Sequence, residues 1–578
     1  MPLRWIMIAA GAALAAGCVT GPAPETVVGD YLSARLAAKA HNIEDAAEAF
    51  AAAHARAPGS TEIRRNAFYF ALASGRIAEA LPLAETLAAD PNADDGGFSA
   101  GALAVAAVKE ARYGDARLLI EKAVEEGFPR TAGNLINVWA IAGGSGEAAA
   151  LEKLRQAPGD EFRGFYPLHA ALLSENLGAY DEARSAYELS LLAFSGSAEI
   201  VAYGAFLERQ GDPEQALEFY QLLAAQDGFG RFAGRDGLDR LETGAPAPAF
   251  RETTPARGAA IALYSLASGI LQDVWQRREA AERAGFRIGD ADYNLSLAMA
   301  RLALYLDPSL DDAWRFVGSI LNHYGEHESA IAALGNVSPA SPFYEQARIE
   351  IAAARDSMGD SEGALAMLRA FINANPAAVD ARLAYAALFA RRGEHEQAVK
   401  AMDGLIAMLP EEPAPIAWRY YLTRAASLLE IDEWPRAEAD LQRAAEIAPE
   451  EATVLNYLGY SWAERGENLE EAFALIEKAV VLEPTSGAII DSLGWAHYQL
   501  GEYDEAVGHL EQAASLEPGD PVITDHLGDV YWRLGRETEA RYQWERVLQL
   551  EPNDDLADLV REKLEEGLAP AEPVVSEP

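Results

Sequence analysis

The chain has 578 residues, half of them hydrophobic, which is enough to build several ordinary hydrophobic cores. Its 90 acidic and 47 basic residues give a formal net charge of −43, which argues against nucleic acid as a partner because phosphate recognition relies on lysine and arginine. The single cysteine excludes an intramolecular disulfide and a cysteine-based metal cluster.

The N-terminal segment has the layout of a secretory signal. Arg4 precedes an apolar run over residues 5–16, and small residues lead directly into Cys18. The run is too short to cross a bilayer, which requires about 20 residues. We therefore predict a signal peptide over residues 1–17. An ordinary signal peptide followed by an incidental cysteine is the alternative.

The residues before Cys18 resemble the lipobox of bacterial lipoproteins, although Ala15 stands where that motif most often has leucine. The resemblance implies cleavage before Cys18, lipidation of this cysteine and attachment to a membrane. Val19 would be the second residue of the mature chain and, by resemblance to enterobacterial sorting rules, it points to the outer membrane. Residues 18–29 are predicted to comprise the lipidated cysteine and a flexible tether.

A repeat with a period of 34 residues runs through much of the chain. An alanine lies twelve residues before each of the last seven prolines that mark it. The prolines are Pro308, Pro342, Pro376, Pro410, Pro449, Pro484, Pro518 and Pro552. This period is typical of a helix–turn–helix repeat. We predict an all-α fold, a right-handed α-solenoid of about 12–14 repeats in two stretches separated by an irregular linker.

The regularity of the repeat divides the chain into segments. The spacing is loose in the N-terminal part, blurs between residues 95 and 160, and is almost uninterrupted after Leu310. The predicted segments are a degenerate repeat array at 30–228, an irregular linker at 229–257, an expanded repeat at 258–309, a regular array at 310–565 and a disordered tail at 566–578. The linker prediction depends on glycine, proline and polar residues that interrupt the helical pattern.

The last three repeats carry small residues where two helices must approach each other closely. These residues are Gly459, Ala472, Gly494, Ala506, Gly528 and Ala540. With the leucines and aromatics around them, the segment 452–552 resembles the tetratricopeptide repeat. The C-terminal half also resembles a group of proteobacterial tetratricopeptide lipoproteins. The resemblance implies a role that some of those proteins have, as adaptors that hold a periplasmic carboxyl-terminal processing protease and present substrates to it.

In tetratricopeptide repeats the first helix lines a concave groove, and this resemblance supplies candidate binding residues. They are Asn456, Tyr460, Asp491, Trp495, Tyr498, Asp525, Asp529, Trp532 and Arg533. Aromatic, amide and carboxylate side chains suit an extended peptide. Packing between repeats is the alternative for the aromatic residues. Asp491 and Asp525 replace the cations with which one subclass clamps a C-terminal carboxylate, so we predict a basic or neutral partner segment.

The sequence offers little support for catalysis. His323 and His327 have the spacing of two metal ligands on one helix, but Gly325 between them marks a turn. We predict no enzymatic activity, no metal and no cofactor. An enzyme would require an unrecognised catalytic module within residues 95–165 or 229–290.

The combined prediction is a lipid-anchored scaffold of the outer membrane that faces the periplasm. It would present proteins to an envelope protease or a cell-wall enzyme system, and its acidic surface would recruit cationic substrates. A scaffold for outer-membrane assembly or polysaccharide export is the alternative.

Overall fold

The computed structural model describes residues 26–156, 163–193, 196–225, 228, 230–248, 252–283, 293–410 and 414–569. These residues form α-helices joined by short turns and two single-turn 3-10 helices, at Arg163–Phe165 and Pro415–Ala417, and none of them forms a strand. The predicted all-α fold is therefore confirmed. The predicted signal peptide and Cys18 lie outside the described residues, as do residues 570–578 of the predicted tail.

The N-terminal part consists of helix pairs that follow one another in chain order. The helices are α1 Val27–Lys39, α2 Ile43–Arg56, α3 Thr61–Ser74, α4 Ile77–Ala88, α5 Phe98–Lys109, α6 Tyr113–Glu125, α7 Arg130–Ser145, α8 Glu147–Arg155, α9 Tyr166–Asn176, α10 Tyr180–Ala193, α11 Ser197–Gln210 and α12 Pro213–Ala224. Consecutive pairing continues through α5–α8, the stretch in which the repeat spacing blurs. Helix α1 begins inside the stretch predicted as a tether, which therefore ends before Val27.

The following helices depart from the regular spacing and then resume it. They are α13 Gly230–Thr243, α14 Pro255–Arg283, α15 Asn294–Leu306, α16 Asp311–His323, α17 His327–Leu334, α18 Tyr344–Ser357, α19 Ser361–Ala374, α20 Val379–Arg391 and α21 His395–Ile406.

The C-terminal part contains four complete helix pairs and a final single helix. They are α22 Trp418–Leu429, α23 Trp434–Ile447, α24 Ala452–Arg465, α25 Leu469–Leu482, α26 Gly487–Gln499, α27 Tyr503–Leu516, α28 Pro521–Arg533, α29 Glu537–Gln549 and α30 Asp554–Glu566.

The described residues belong to two compact units. One contains residues up to Gln276 together with those from the 290–381 segment, and the other contains residues 277–283 and those from Arg382 onward. The division at residue 381 falls inside the segment predicted as one regular array.

Each of the last three helix pairs turns at a glycine with positive φ, Gly466, Gly501 or Gly535, and the paired helices approach each other closely. Gly501 ends the α26 turn with a φ of +78°, a conformation that residues with a side chain rarely adopt. At Gly528, a Cβ atom would lie 2.5 Å from the Trp544 indole nitrogen, so only glycine permits this approach of α28 to α29. Ala506 and Ala540 are fully buried between the helices of their pairs.

The segment predicted as an irregular linker contains a helix, α13, so that prediction is wrong for residues 230–243. Its glycines permit close packing: a Cβ at Gly234 would lie 2.6 Å from the Ala224 backbone nitrogen, and one at Gly237 would lie 2.4 Å from the Tyr220 ring. Arg240 also pairs with Glu208 of α11 at 2.7 Å. Helix α13 thus continues the N-terminal array.

The segment 258–309, predicted as an expanded repeat, packs instead against the first helices of the N-terminal pairs. A Cβ at Gly258 of α14 would lie 2.0 Å from the indole ring of Trp139 in α7, and the Tyr264 hydroxyl lies 2.9 Å from the Ser197 hydroxyl in α11. Helix α15 contacts α3 and α5. Helices α14 and α15 therefore cover the face that this type of repeat leaves open as a groove.

Candidate partner-binding groove

The predicted groove residues lie on the first helices of three C-terminal repeats, α24, α26 and α28. The three helices are held in order because α24 packs against α26, and α26 against α28. Asp520 caps α28 by accepting hydrogen bonds from the backbone nitrogens of Val522 and Ile523 at 2.8 and 3.0 Å. This order places the candidate side chains in three successive rows, one on each helix: a row on α24, a middle row on α26 and a C-terminal row on α28.

The C-terminal row is occupied by the chain itself. The Lys563 ammonium group of α30 donates to Asp525 at 2.7 Å and to both carboxylate oxygens of Asp529 at 2.8 Å. The Trp544 indole nitrogen donates to Asp529 at 3.0 Å. All three charged side chains are buried. Lys563 is therefore an internal partner of Asp525 and Asp529, and neither carboxylate is exposed to a bound segment.

The buried charges on α28 shift each other's protonation. Burial and the nearby Asp525 carboxylate raise the pKa of Asp529 to about 6, against the opposing effect of Lys563. Burial lowers the pKa of His526, but Asp491 and the other two carboxylates outweigh it, so the pKa is raised overall. Both groups therefore hold protons more tightly than they would in water.

The middle row is an aromatic stack closed by an ion pair. The Trp495 ring lies parallel to the rings of His526 and Tyr498, with centroid distances of 4.0 and 4.5 Å. The Asp491 carboxylate contacts the His526 ring nitrogen at 2.9 Å, and both residues are buried. Packing therefore occupies the ring of Trp495. His526 was not among the predicted residues, because it follows Asp491 by 35 residues and the 34-residue period pairs Asp491 with Asp525 instead.

Trp532 and Arg533 are covered by the end of the described chain. A Cβ at Gly567 would lie 2.1 Å from the Trp532 ring, so the segment after α30 lies against this indole. Arg533 donates to the Ala569 backbone oxygen and, at 3.1 Å, to the Tyr498 hydroxyl. These two predicted residues anchor residues 567–569, which extends ordered structure into the predicted tail.

The row on α24 remains without such a cover among the described residues. Asn456 and Tyr460 are half-buried on this helix. The side-chain oxygen of Asn456 and the indole nitrogen of Trp495 are both buried and make no hydrogen bond to any described residue. One of these atoms is an acceptor and the other is a donor.

The described residues contain no group of three or more His, Cys, Asp or Glu side chains placed to hold a metal ion. His323 ends α16 and His327 begins α17, with Gly325 at a φ of +80° between them, so the two histidines do not share a helix. In the same described ranges, we find no helix whose length and hydropathy would allow it to cross a membrane.

The tetratricopeptide repeat family profile matches residues 350–413, 422–487 and 492–555. A TPR repeat-containing protein of Pseudomonas aeruginosa is 34% identical over 110 residues, which is 19% of this chain and 18% of that protein. The chain therefore matches less than a fifth of the length of this relative.

Several solved structures are also similar. The Cut9–Hcn1 hetero-tetramer of the APC/C matches 93% of this chain and 96% of its own at 16% identity, with a TM-score of 0.38. A tetratricopeptide repeat protein from Parabacteroides merdae matches 44% of this chain and 97% of its own at 14% identity, with a TM-score of 0.36. The family matches and the helix pairs show that the chain carries tetratricopeptide repeats, which are modules for interaction between proteins.

Proposed function

We propose that this chain is a non-enzymatic scaffold, anchored by lipid at Cys18 in the outer membrane and facing the periplasm, that binds a segment of a partner protein along α24 and α26. The lipobox-like residues support the anchor. The tetratricopeptide repeats support an adaptor role. The envelope protease or cell-wall enzyme system remains the proposed client, on the resemblance of the C-terminal half.

The observation that carries the groove proposal is the pair of unsatisfied atoms on neighbouring helices. A buried polar atom without a hydrogen bond costs about 1–3 kcal/mol. Both atoms are buried, so a bound segment reaches them by displacing the side chains that cover them, and its backbone then offers an amide donor for Asn456 and a carbonyl acceptor for Trp495. Binding of a segment would therefore recover part of the free energy that these two atoms lose by having no hydrogen-bond partner.

The internal pairing of Asp525 and Asp529 changes the expected partner. Lys563 already pairs with both of these buried carboxylates, so they are not exposed to attract a basic segment. Asp491 is likewise paired with His526. We propose that the groove selects by backbone hydrogen bonds and by contact with Tyr460. The overall acidity of the chain would favour basic proteins through long-range attraction.

A site-specific photocrosslinker tests this proposal in intact membranes. Placed at Tyr460, it should capture a partner; placed at Tyr542, which is exposed on the second helix α29, it should not. Replacing Trp495 with phenylalanine removes the indole donor, so crosslinking from position 460 should weaken. Trp462→Phe is the matched control, because the Trp462 nitrogen already donates to Glu438 at 2.9 Å.

Equal capture from positions 460 and 542, or equal loss in both phenylalanine variants, would show that the groove does not bind the partner. The anchor is tested separately. Metabolic labelling with a tagged fatty acid should mark the wild-type chain but not a Cys18→Ser variant, and equal labelling of the two would overturn the lipid attachment.

A further inference from the structure

The first described helix, α1, has an apolar outer face. Val28, Leu32 and Leu36 are 67%, 55% and 69% exposed. They follow one another at intervals of four residues, so they lie along one side of the helix. The opposite side carries the buried Ala34 and packs against α2. Three large aliphatic side chains are thus presented together to solvent.

The same face is positively charged in a strongly acidic chain. Helical spacing of 100° per residue places Arg35 and Lys39 between and beside the three aliphatic residues. The acidic residue of α1, Asp30, lies on another side of the helix and pairs with Arg56 at 2.7 Å. The outer face of α1 therefore combines aliphatic and basic side chains without a carboxylate.

The last helix, α30, shows what an ordinary terminal helix of a repeat array looks like. Terminal repeats normally carry a polar outer face because no further repeat covers them. The exposed acidic residues of α30 are Asp554, Asp555, Asp558, Glu562, Glu565 and Glu566. Leu559 is the large aliphatic residue exposed on that helix. Helix α1 lacks this polar surface, which indicates that something other than water covers it.

We propose that the outer face of α1 lies on the anionic lipid surface of the membrane that holds Cys18. This inference rests on the proposed lipid anchor. Eight residues lie between Cys18 and Val27, so the two are at most about 30 Å apart when the chain is fully extended. A helix with aliphatic and basic side chains on one face binds at the boundary between headgroups and acyl chains. The anchor would hold α1 close enough to bind there.

The lipid surface fits the charge of this face better than a second copy does. In a symmetric contact a second copy would place its own Arg35 and Lys39 against those of the first copy, so like charges would face one another. Anionic lipid attracts basic residues within a Debye length, by about 1 kcal/mol for each lysine or arginine. At physiological ionic strength the acidic residues farther from the surface are screened.

Vesicle binding by the unlipidated chain tests the inference without the anchor. The Cys18→Ser chain should sediment with vesicles that contain phosphatidylglycerol, and it should bind pure phosphatidylcholine more weakly. The Leu32→Glu/Leu36→Glu variant should abolish binding. The Arg35→Gln/Lys39→Gln variant should weaken it about 30-fold, because two basic contacts are lost. Leu118→Glu is the matched control, since Leu118 is 71% exposed on α6.

Circular dichroism should show equal helix content in all variants, because the substituted residues are exposed. No binding by the Cys18→Ser chain, or equal binding by Leu32→Glu/Leu36→Glu, would overturn the inference. So would a concentration-dependent dimer that the same double variant dissolves, because a second copy would then cover the face. Failure of the lipid anchor would be recognised separately. A chain that combines Cys18→Ser with Leu32→Glu/Leu36→Glu would then still be found in the membrane fraction of cells.

Discussion

The Lys563 ammonium group lies 2.8 Å from both carboxylate oxygens of Asp529, a residue that precedes it by one repeat length of 34 residues. The contact joins α30 to the first helix of the last complete repeat. It also leaves the two carboxylates of α28 with a cation that the chain supplies. The final helix therefore occupies the place that a basic partner would otherwise take.

Removing this cation should loosen the C-terminal end. Lys563→Met leaves Asp525 and Asp529 buried without a cation, and breaking a buried ion pair in this way costs about 3–5 kcal/mol. We expect faster hydrogen exchange in α28 and α30, measured by mass spectrometry. Lys478→Met is the control, because Lys478 is exposed and bonds only a backbone oxygen at 2.7 Å. Unchanged exchange in Lys563→Met would show that the pair does not hold α30.

The folded C-terminal repeats should lose stability as pH rises. The raised pKa values of Asp529 and His526 mean that the folded state binds protons more tightly than the unfolded state does. The contribution of Asp529 is present below its ordinary pKa of 3.8 and is lost as pH rises through about 6. That of His526 is present below 6.5 and is lost at a higher pH.

Limited proteolysis after α29 measures this dependence, and cleavage should be slower at pH 5.5 than at pH 8, after correction for protease activity on an unfolded substrate. His526→Gln should reduce the difference above pH 6.5. Cleavage that slows with rising pH in the wild-type chain would contradict the assignment.

Glu199 in α11 should destabilise the folded chain at high pH. Burial raises its pKa to about 8, and neither carboxylate oxygen bonds a described residue. Its stabilising contribution is therefore present below an ordinary pKa of 4.5 and is lost as pH rises through about 8. We expect Glu199→Gln to raise the free energy of unfolding by about 2 kcal/mol at pH 8, and to change it little at pH 4.5.

Urea unfolding at both pH values checks this expectation. Glu214→Gln is the control, because Glu214 is exposed on α12. A Glu199→Gln variant that is equally stable or less stable at pH 8 would show that this carboxyl group has a partner that stabilises its ionised form.

Gly258 should tolerate no side chain. A Cβ there would lie 2.0 Å from a Trp139 ring carbon, so Gly258→Ala forces α14 away from α7 and should cost about 1–3 kcal/mol. Gly114→Ala in α6 meets no atom within 4 Å and should be neutral or slightly stabilising. Urea unfolding of the full chain compares the two. Gly258→Ala should cost less in a Trp139→Leu background than in the wild-type chain, and an equal cost in the two backgrounds would contradict the proposed clash.

Local periodicity was sufficient to predict the helices and the small residues between them, because each repeat buries its side chains mainly against its neighbours. Periodicity failed where a glycine could either end a helix or allow close packing within one. The pattern predicts glycine as a helix breaker, but Gly234 and Gly237 lie in α13, where Gly234 lies against the backbone of α12 and Gly237 lies against the Tyr220 ring. A glycine that breaks a helix and one that admits a neighbouring side chain look alike in a single sequence.

The candidate groove was predicted less well because the side chains that fill it, such as Lys563, come from a later part of the chain. Asp529 follows the repeat register of the groove, but the cation that pairs with its carboxylate, Lys563, lies on a later helix. Extending the 34-residue register past Pro552 would have placed Lys563 in the next row. No comparable register relates α14 to the first helices of the N-terminal array, since that contact depends on the path of the chain in space.

Helices α14 and α15 cover the first helices of the N-terminal pairs, so this face is a poor target for peptides that would have to compete with them. Any peptide directed to Trp139 or Ser197 would have to displace a segment of the same polypeptide. A tethered segment competes at an effective concentration on the order of millimolar. An inhibitor of micromolar affinity would therefore fail to displace this segment, whereas among the described residues no such segment covers the row on α24.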